Sequence, residues 1–416
     1  MIWFKVPLLC MLILVLAACT ASPSGEPAAG EQASTLAAEP TEPPPTDASP
    51  TETPIPAYTA TPEPTETPEP SPTAVPAAPA MHRGDEQRTG VYEVEEAPRE
   101  GELVWQFETD NEVHSSPIVA GDVVYFGSDD LNLYAVNAES GDEVWRFKTT
   151  GTIFSSPAVT GGVVYVGSRG LYAIDAATGE EVWHFQPGLT TFRSSPVVSD
   201  GVVYVGADDS RLYALDAATG EMLWTFTGRG PMLSSPALYD GSVYIGSESG
   251  LLYAVDAQSG EEVWQAALER GVYATPTIVA GVLYAGDLGG AFHALDAEDG
   301  SSIWQFSAEQ PFVASAGVAG DVVFVGNLDQ HLYALDAASG EEVWRFRTRH
   351  EVYGSPSIAD GVVYVGSDDR NLYAVDAASG EEIWRFQTGG FVGSAAFVAG
   401  GTVYFGSYDG SVYAVR

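Results

Sequence analysis

Few side chains in this 416-residue sequence combine types and spacings that could do chemistry. Both cysteines, Cys10 and Cys19, lie in the first 19 residues. A thiolate is the reactive and metal-binding form of cysteine, so the chain beyond residue 19 can have no disulfide, no thiolate nucleophile and no Cys-based zinc or iron–sulfur site. Three acidic pairs, Asp129-Asp130, Asp208-Asp209 and Asp368-Asp369, offer the hard oxygens that Ca²⁺ takes. Each pair falls in a short break between β-type segments, where Asp bonds its own backbone, so turn chemistry is expected and calcium is not. The six His are scattered with no two at metal-ligand spacing, and no GxSxG, HExxH or P-loop occurs. No catalytic residue and no metal site are expected. The Glu pairs at 180–181, 261–262, 341–342 and 381–382 read as solvated surface.

The elements that hold these residues repeat. Trp105, Trp145, Trp183, Trp224, Trp264, Trp304, Trp344 and Trp384 recur at spacings of 38 to 41 residues, and columns of Gly (127 to 406) and Ala (135 to 414) keep the same step. A period near 40 with short strands signals a propeller or solenoid. Residues 355–388 show the unit: SPSIA, VVYVG, LYAVD and EEIWRFQ are β-branched and aromatic runs broken by Asp-Gly, Asp-Asp-Arg-Asn and Ala-Ser-Gly. Four such strands make an antiparallel blade that buries its faces only by stacking on other blades. The last three-strand set ends at Arg416 without a fourth strand, whereas residues 102–107 supply an unpaired one before the first set. The fold expected is all-β: an eight-bladed β-propeller over residues 101–416, closed by strand 102–107, with residues 81–100 a lead-in docking on the ring. Arg83-Gly84-Asp85 is read as part of that lead-in rather than as an adhesion tripeptide.

The eleven-residue unit Ala334-Leu335-Asp336-Ala337-Ala338-Ser339-Gly340-Glu341-Glu342-Val343-Trp344 has counterparts beginning at Ala135, Ala173, Ala214, Ala254, Ala294 and Ala374. It resembles the tryptophan-docking motif of the quinoprotein propellers. That resemblance implies a structural role for all eight propeller Trp, each indole packed between neighbouring blades. Within that group the chain is similar to the BamB-type outer-membrane assembly lipoproteins, although its linker is longer. Quinoprotein dehydrogenases share the motif. The resemblance implies that they need more: a Trp floor and often a vicinal disulfide for pyrroloquinoline quinone, Glu, Asn and Asp for Ca²⁺, and an Asp base. With every propeller Trp assigned to docking, no Cys and minimal loops, neither quinone nor calcium is expected.

At the N-terminus, Lys5 precedes an apolar run from Val6 to Val15 that ends in Leu16-Ala17-Ala18-Cys19. The run is short for a membrane span of about 20 residues and fits a signal peptide, here residues 1–18. Leu-Ala-Ala-Cys resembles the lipobox of bacterial lipoproteins, which implies acylation of Cys19. Two or three acyl chains give a stable anchor. Residues 19–80 hold 16 of the 27 prolines and no Lys or Arg, a composition that cannot bury a core, so a disordered spacer is expected. With Thr at position 20 the anchored chain is expected on the periplasmic side of an outer membrane, or on the outer face of the plasma membrane in a one-membrane cell. Residues 81–416 carry 16 basic against 48 acidic side chains, a net −32 that repels nucleic acid and anionic lipid.

One face varies between repeats. The loops that lead into each innermost strand carry Lys148, Arg193, Arg229, Arg270, Arg347, Arg349 and His350. Just before that strand they place His114, Phe154, Arg193, Leu233, Tyr273, Val313, Tyr353 and Val392. Variation on a fixed frame is what a binding face shows. The candidate face is His114, Phe154, Arg193, Arg229, Arg270, Tyr273, Arg349, His350 and Tyr353, with an envelope protein or peptide as partner and a monomeric ring. The opposite face offers mainly Gly, Ala and Glu. The alternatives are apolar loop residues that merely plug the channel, a quinone or metal enzyme, and a ligand-sensing module.

Overall fold

The computed structural model describes residues 80–94 and 96–416, all of it strand, turn and loop. The signal peptide, Cys19 and the spacer lie outside the described residues. Eight antiparallel sheets follow one another along the chain, each running outward from a three-residue innermost strand. In the seventh blade the strands are Ser357–Ala359, Val362–Ser367, Asn371–Asp376 and Glu382–Gln387. The two inner strands of several blades are joined by type I′ geometry, which needs positive φ at both central residues. Asp360 and Gly361, at φ 43° and 72°, supply it.

The ring closes as expected. Leu103–Glu108 is the outermost strand of the eighth blade and pairs with Ser411–Val415, Trp105 opposite Ala414. Every propeller Trp docks on the following blade: its indole N–H donates to a turn carbonyl at 2.9–3.1 Å, from Trp105 on Ala138 to Trp344 on Ala377. Trp384, the last, donates to Pro98 at 3.1 Å, and its ring lies where a Cβ on Gly101 would sit. Residues 98–105 therefore complete the docking unit of the eighth blade from the other end of the chain. A second ring of bonds runs inside: the backbone N–H of Ser116 donates to the Ser156 hydroxyl, Ser156 to Ser195 and Ser195 to Ser235, and Ala395 closes onto Ser116 across the junction.

The lead-in does more than dock at an edge. Met81 pairs with Ala158 of the second blade. The carbonyls of Glu86, Gln87, Thr89 and Gly90 then accept the N–H groups of Leu238, Ile278, Val318 and Ile358 on the innermost strands of blades four to seven, at 2.8–3.0 Å. Tyr92 reaches the eighth blade, its ring 4.7 Å from that of Phe397. An innermost strand has one edge with unpaired backbone groups, and the lead-in pairs them around the channel. Arg83 and Arg88 fill the axis, 1% and 0% exposed. The Arg88 guanidinium donates to the carbonyls of Pro236 (3.1 Å), Pro196 (3.0 Å), Ser195 (3.3 Å) and His82. Arg83 bonds the carbonyls of Arg88 and Ala316. Burial lowers Arg88 to about 9 and Arg83 to about 10, so both remain cationic at neutral pH. With Arg83 inside, Arg83-Gly84-Asp85 presents no adhesion surface. The lead-in and its two guanidiniums thus occupy this end of the channel.

Candidate functional site

Two ends of the channel differ. At the end where the innermost strands turn back, the lead-in lies beside Ala120 and Gly121 and lines a cavity of about 730 Å³ with Asp85, Thr89, Tyr92 and Glu93. The expectation that this face holds little beyond Gly, Ala and Glu is thus corrected: a segment that joins no blade as a strand over most of its length covers it. At the other end the connecting loops and the turns between second and third strands surround the mouth.

There the structure joins several candidate residues into one arc. Arg193 lies over the Phe154 ring at 5.4 Å, Phe154 is 4.9 Å from His114, and His114 is 4.1 Å from Tyr408. Tyr408 lies 6.2 Å from Phe391, which stacks on His350 at 6.4 Å and 14°. The arc passes through blades three, two, one, eight and seven. Tyr408 and Phe391 were not among the expected residues, and Val392 does not belong there. Counted back from the innermost strand, Gly393 holds the variable position of the eighth blade, and Val392 is fully buried with Val113, Ile153 and Val352. A Cβ on Gly393 would stand 2.6 Å from the Tyr408 hydroxyl, so the missing side chain makes room for the tyrosine. The signal was a Gly opposite a turn aromatic, visible only once the loop register is known.

Arg270 and Tyr273 form a separate group, lining a cavity of about 540 Å³ with Glu248 and Leu288; the Tyr273 hydroxyl donates to Glu248 at 3.0 Å. Arg229 and Arg349 are exposed, and their backbone N–H groups bond Tyr253 and Asp369. Tyr353 is half-buried near Tyr408. Lys148 and Arg347 are the last residues of outermost strands rather than loop residues.

Carboxylates complete the mouth. The His114 Nε2 lies 3.0 Å from Glu112 and 3.5 Å from Asp129. Burial lowers His114, against the raising effect of Glu112. Burial, then the charges of Glu112 and Asp130, raises Asp129 to about 6. In the seventh blade burial, then Glu351 and Asp369, raises Asp368 to about 7. The acidic pairs therefore divide their roles. The second Asp is turn chemistry as expected: Asp130, Asp209 and Asp369 accept tyrosine hydroxyls at 2.6–2.7 Å. The first, in blades one and seven, faces the mouth. Burial, followed by Asp368 and Glu112, also pushes the Tyr408 phenol up.

This geometry bears on a cofactor. A stacked quinone needs a flat aromatic floor in the channel. All eight propeller Trp are engaged at blade junctions, and two guanidiniums occupy the axis. The propeller Trp are therefore engaged elsewhere and do not form that floor.

The family described as outer membrane protein assembly factor BamB matches five overlapping segments, residues 88–188, 155–270, 230–315, 248–353 and 289–416. The chain belongs to that family. Solved structures with the same fold include BamB from Moraxella catarrhalis, 22% identical, with TM-score 0.65 over 76% of this chain and 97% of that one. They also include a europium-containing methanol dehydrogenase (16%, TM-score 0.68, 79% and 90% covered). A third is the quinohemoprotein alcohol dehydrogenase of Comamonas testosteroni (17%, TM-score 0.69, 80% and 80%). No curated protein matches the sequence. The BamB family and quinoprotein dehydrogenases thus share this ring, and at such identities the structural likeness speaks to fold alone.

Proposed function

We propose that this member of the BamB family is a non-catalytic, lipid-anchored envelope scaffold whose loop face binds a segment of a protein partner. The observation that carries the reading is the arc from Arg193 through His114 and Tyr408 to His350, set on a frame that is otherwise constant. Aromatic and Arg side chains supply most of the energy at protein interfaces. Family membership supports outer-membrane protein assembly as the setting.

The test compares two charge-reversed chains by in-envelope crosslinking. Arg193, Arg270 and Arg349 are replaced by Glu in one; Glu261, Glu341 and Glu381 by Lys in the other. The first is expected to lose its crosslinked partners, with residual binding falling as salt rises. Loss only in the second, or in neither, overturns the choice of face.

A further inference from the structure

We propose that His350, Glu351 and Asp368 form a site for a divalent transition-metal ion, with Zn²⁺ the best match, at the channel mouth of the seventh blade. The site goes beyond the scaffold reading and does not depend on it. His350 and Glu351 are consecutive in the loop that leads into Ser357–Ala359, and Asp368 opens the turn after Val362–Ser367. The Asp368 N–H donates to the Glu351 carbonyl at 3.0 Å, which ties loop and turn together. One donor atom from each of the three side chains lies within 4.8 Å of the other two. Three donors around zinc, at bonds of 2.0–2.2 Å, stand about 3.4 Å apart, a separation inside the span of this set.

Asp368 is the second, independent observation. It is 9% exposed, and its carboxylate has no hydrogen-bonding or cationic partner among the described residues. Its nearest charged neighbours are Glu351 and Asp369, which repel it. A buried carboxylate in that position is uncompensated, and a cation held between it, Glu351 and the His350 ring supplies what the protein does not. An imidazole with two carboxylates suits zinc or copper; an all-oxygen set would suit calcium or magnesium. His350 is half exposed, so three protein donors leave a coordination position open to solvent.

The first blade shows why the seventh is the better site. Glu112 and Asp129 occupy the repeat positions of Glu351 and Asp368, and only these two repeats combine them. There His114 serves as the third group. Both rings contact the Glu of their own loop, His114 with Glu112 and His350 with Glu351, but His114 is 9% exposed and wedged between Phe154 and Tyr408, whereas His350 is 50% exposed and stacks on Phe391.

The experiment is a Zn²⁺ titration by calorimetry on the full-length chain carrying Asp129→Asn, which removes one of the three first-blade donors. Co²⁺ is run in parallel for its visible absorption bands. One saturable equivalent is expected. Adding His350→Ala or Asp368→Asn should weaken it at least tenfold and abolish the Co²⁺ bands, while Asp208→Asn, in the equivalent turn of the third blade, leaves it unchanged. Absence of saturable Zn²⁺ binding overturns the proposal. So does binding that His350→Ala leaves within twofold while the far-ultraviolet spectrum is native; that variant alters a half-exposed ring and decides the matter if Asp368→Asn does not fold.

Discussion

Replacing Gly101 by Ala tests whether the ring is joined where the structure joins it. Gly101 has φ +70°, and an added Cβ would lie 2.9 Å from Cδ2 and Cε3 of Trp384. Gly220, inside the ring, has φ +72° and would place its Cβ 2.7 Å from Trp183. Gly161 has φ +59° with nothing within 4 Å. The left-handed backbone alone disfavours Ala by about 1–2 kcal/mol, and Gly161→Ala isolates that penalty. Forcing a methyl into packed atoms adds about 1–3 kcal/mol. Gly101→Ala is therefore expected to lose about 1–3 kcal/mol more than Gly161→Ala, and to match Gly220→Ala. Equilibrium urea unfolding followed by tryptophan fluorescence measures all three. If Gly101→Ala tracks Gly161→Ala to within about 0.5 kcal/mol while Gly220→Ala is costly, residues 98–105 do not dock on Trp384 and the closure is refuted; half a kilocalorie is the usual scatter between independent sites.

Trp304, 9% exposed with its N–H on the Ala337 carbonyl at 2.9 Å, should lose about 3–5 kcal/mol on truncation to Ala; a loss below about 1 kcal/mol would show that the indole is not buried between blades. His82 is held well below 6.5, first by burial and then by the Arg88 and Arg83 charges. Below pH 6.5 the unfolded chain takes up a proton that the folded chain refuses, so stability is complete above 6.5 and falls on acidification, by about 1.4 kcal/mol per pH unit from this group. Unfolding free energies at pH 7.5 and 5.5 should show His82→Asn losing less than the parent chain, and equal losses would place His82 in water. Cys19→Ser should move the protein from the membrane to the soluble fraction without changing its melt; continued membrane fractionation would refute the lipid anchor.

Much of the architecture was legible because it is local and repeated. Trp304, Gly340 and Ala337 carry the same spacing in repeat after repeat, and the strand runs between Asp-Gly and Ala-Ser-Gly turns need no distant information. The closing strand was legible by counting, since a set of three and a leftover one make four. The Pro98 carbonyl and Gly101 are a weaker echo of the same unit, with Pro in place of Ala, and spacing from Trp105 alone could have found them. The mouth was harder to read. His114, Phe154 and Arg193 were named from their variability, but Tyr408 comes from a turn rather than a connecting loop, and Val392 was placed one residue out of register.

The sequence by itself determined the blade, the number of blades and the order in which they close, because each rests on contacts between neighbours in the chain or at a fixed step of about 40 residues. What only the tertiary structure decided lies where the ring brings distant residues together. Arg83 and Arg88 read only as part of a lead-in docking on the ring, yet they are buried at its axis, where their guanidiniums bond the carbonyls of Ala316, Pro236 and Pro196 from three different blades. Asp368 reads as turn chemistry, yet it stands buried against Glu351 beside the arc that ends at His350 while Asp369 caps the tyrosine; Asp208, first in the equivalent turn of the third blade with Thr191 rather than an acid opposite, stays exposed. Period and spacing specify neighbours; which groups lose their water at the axis and at the mouth depends on closing the circle.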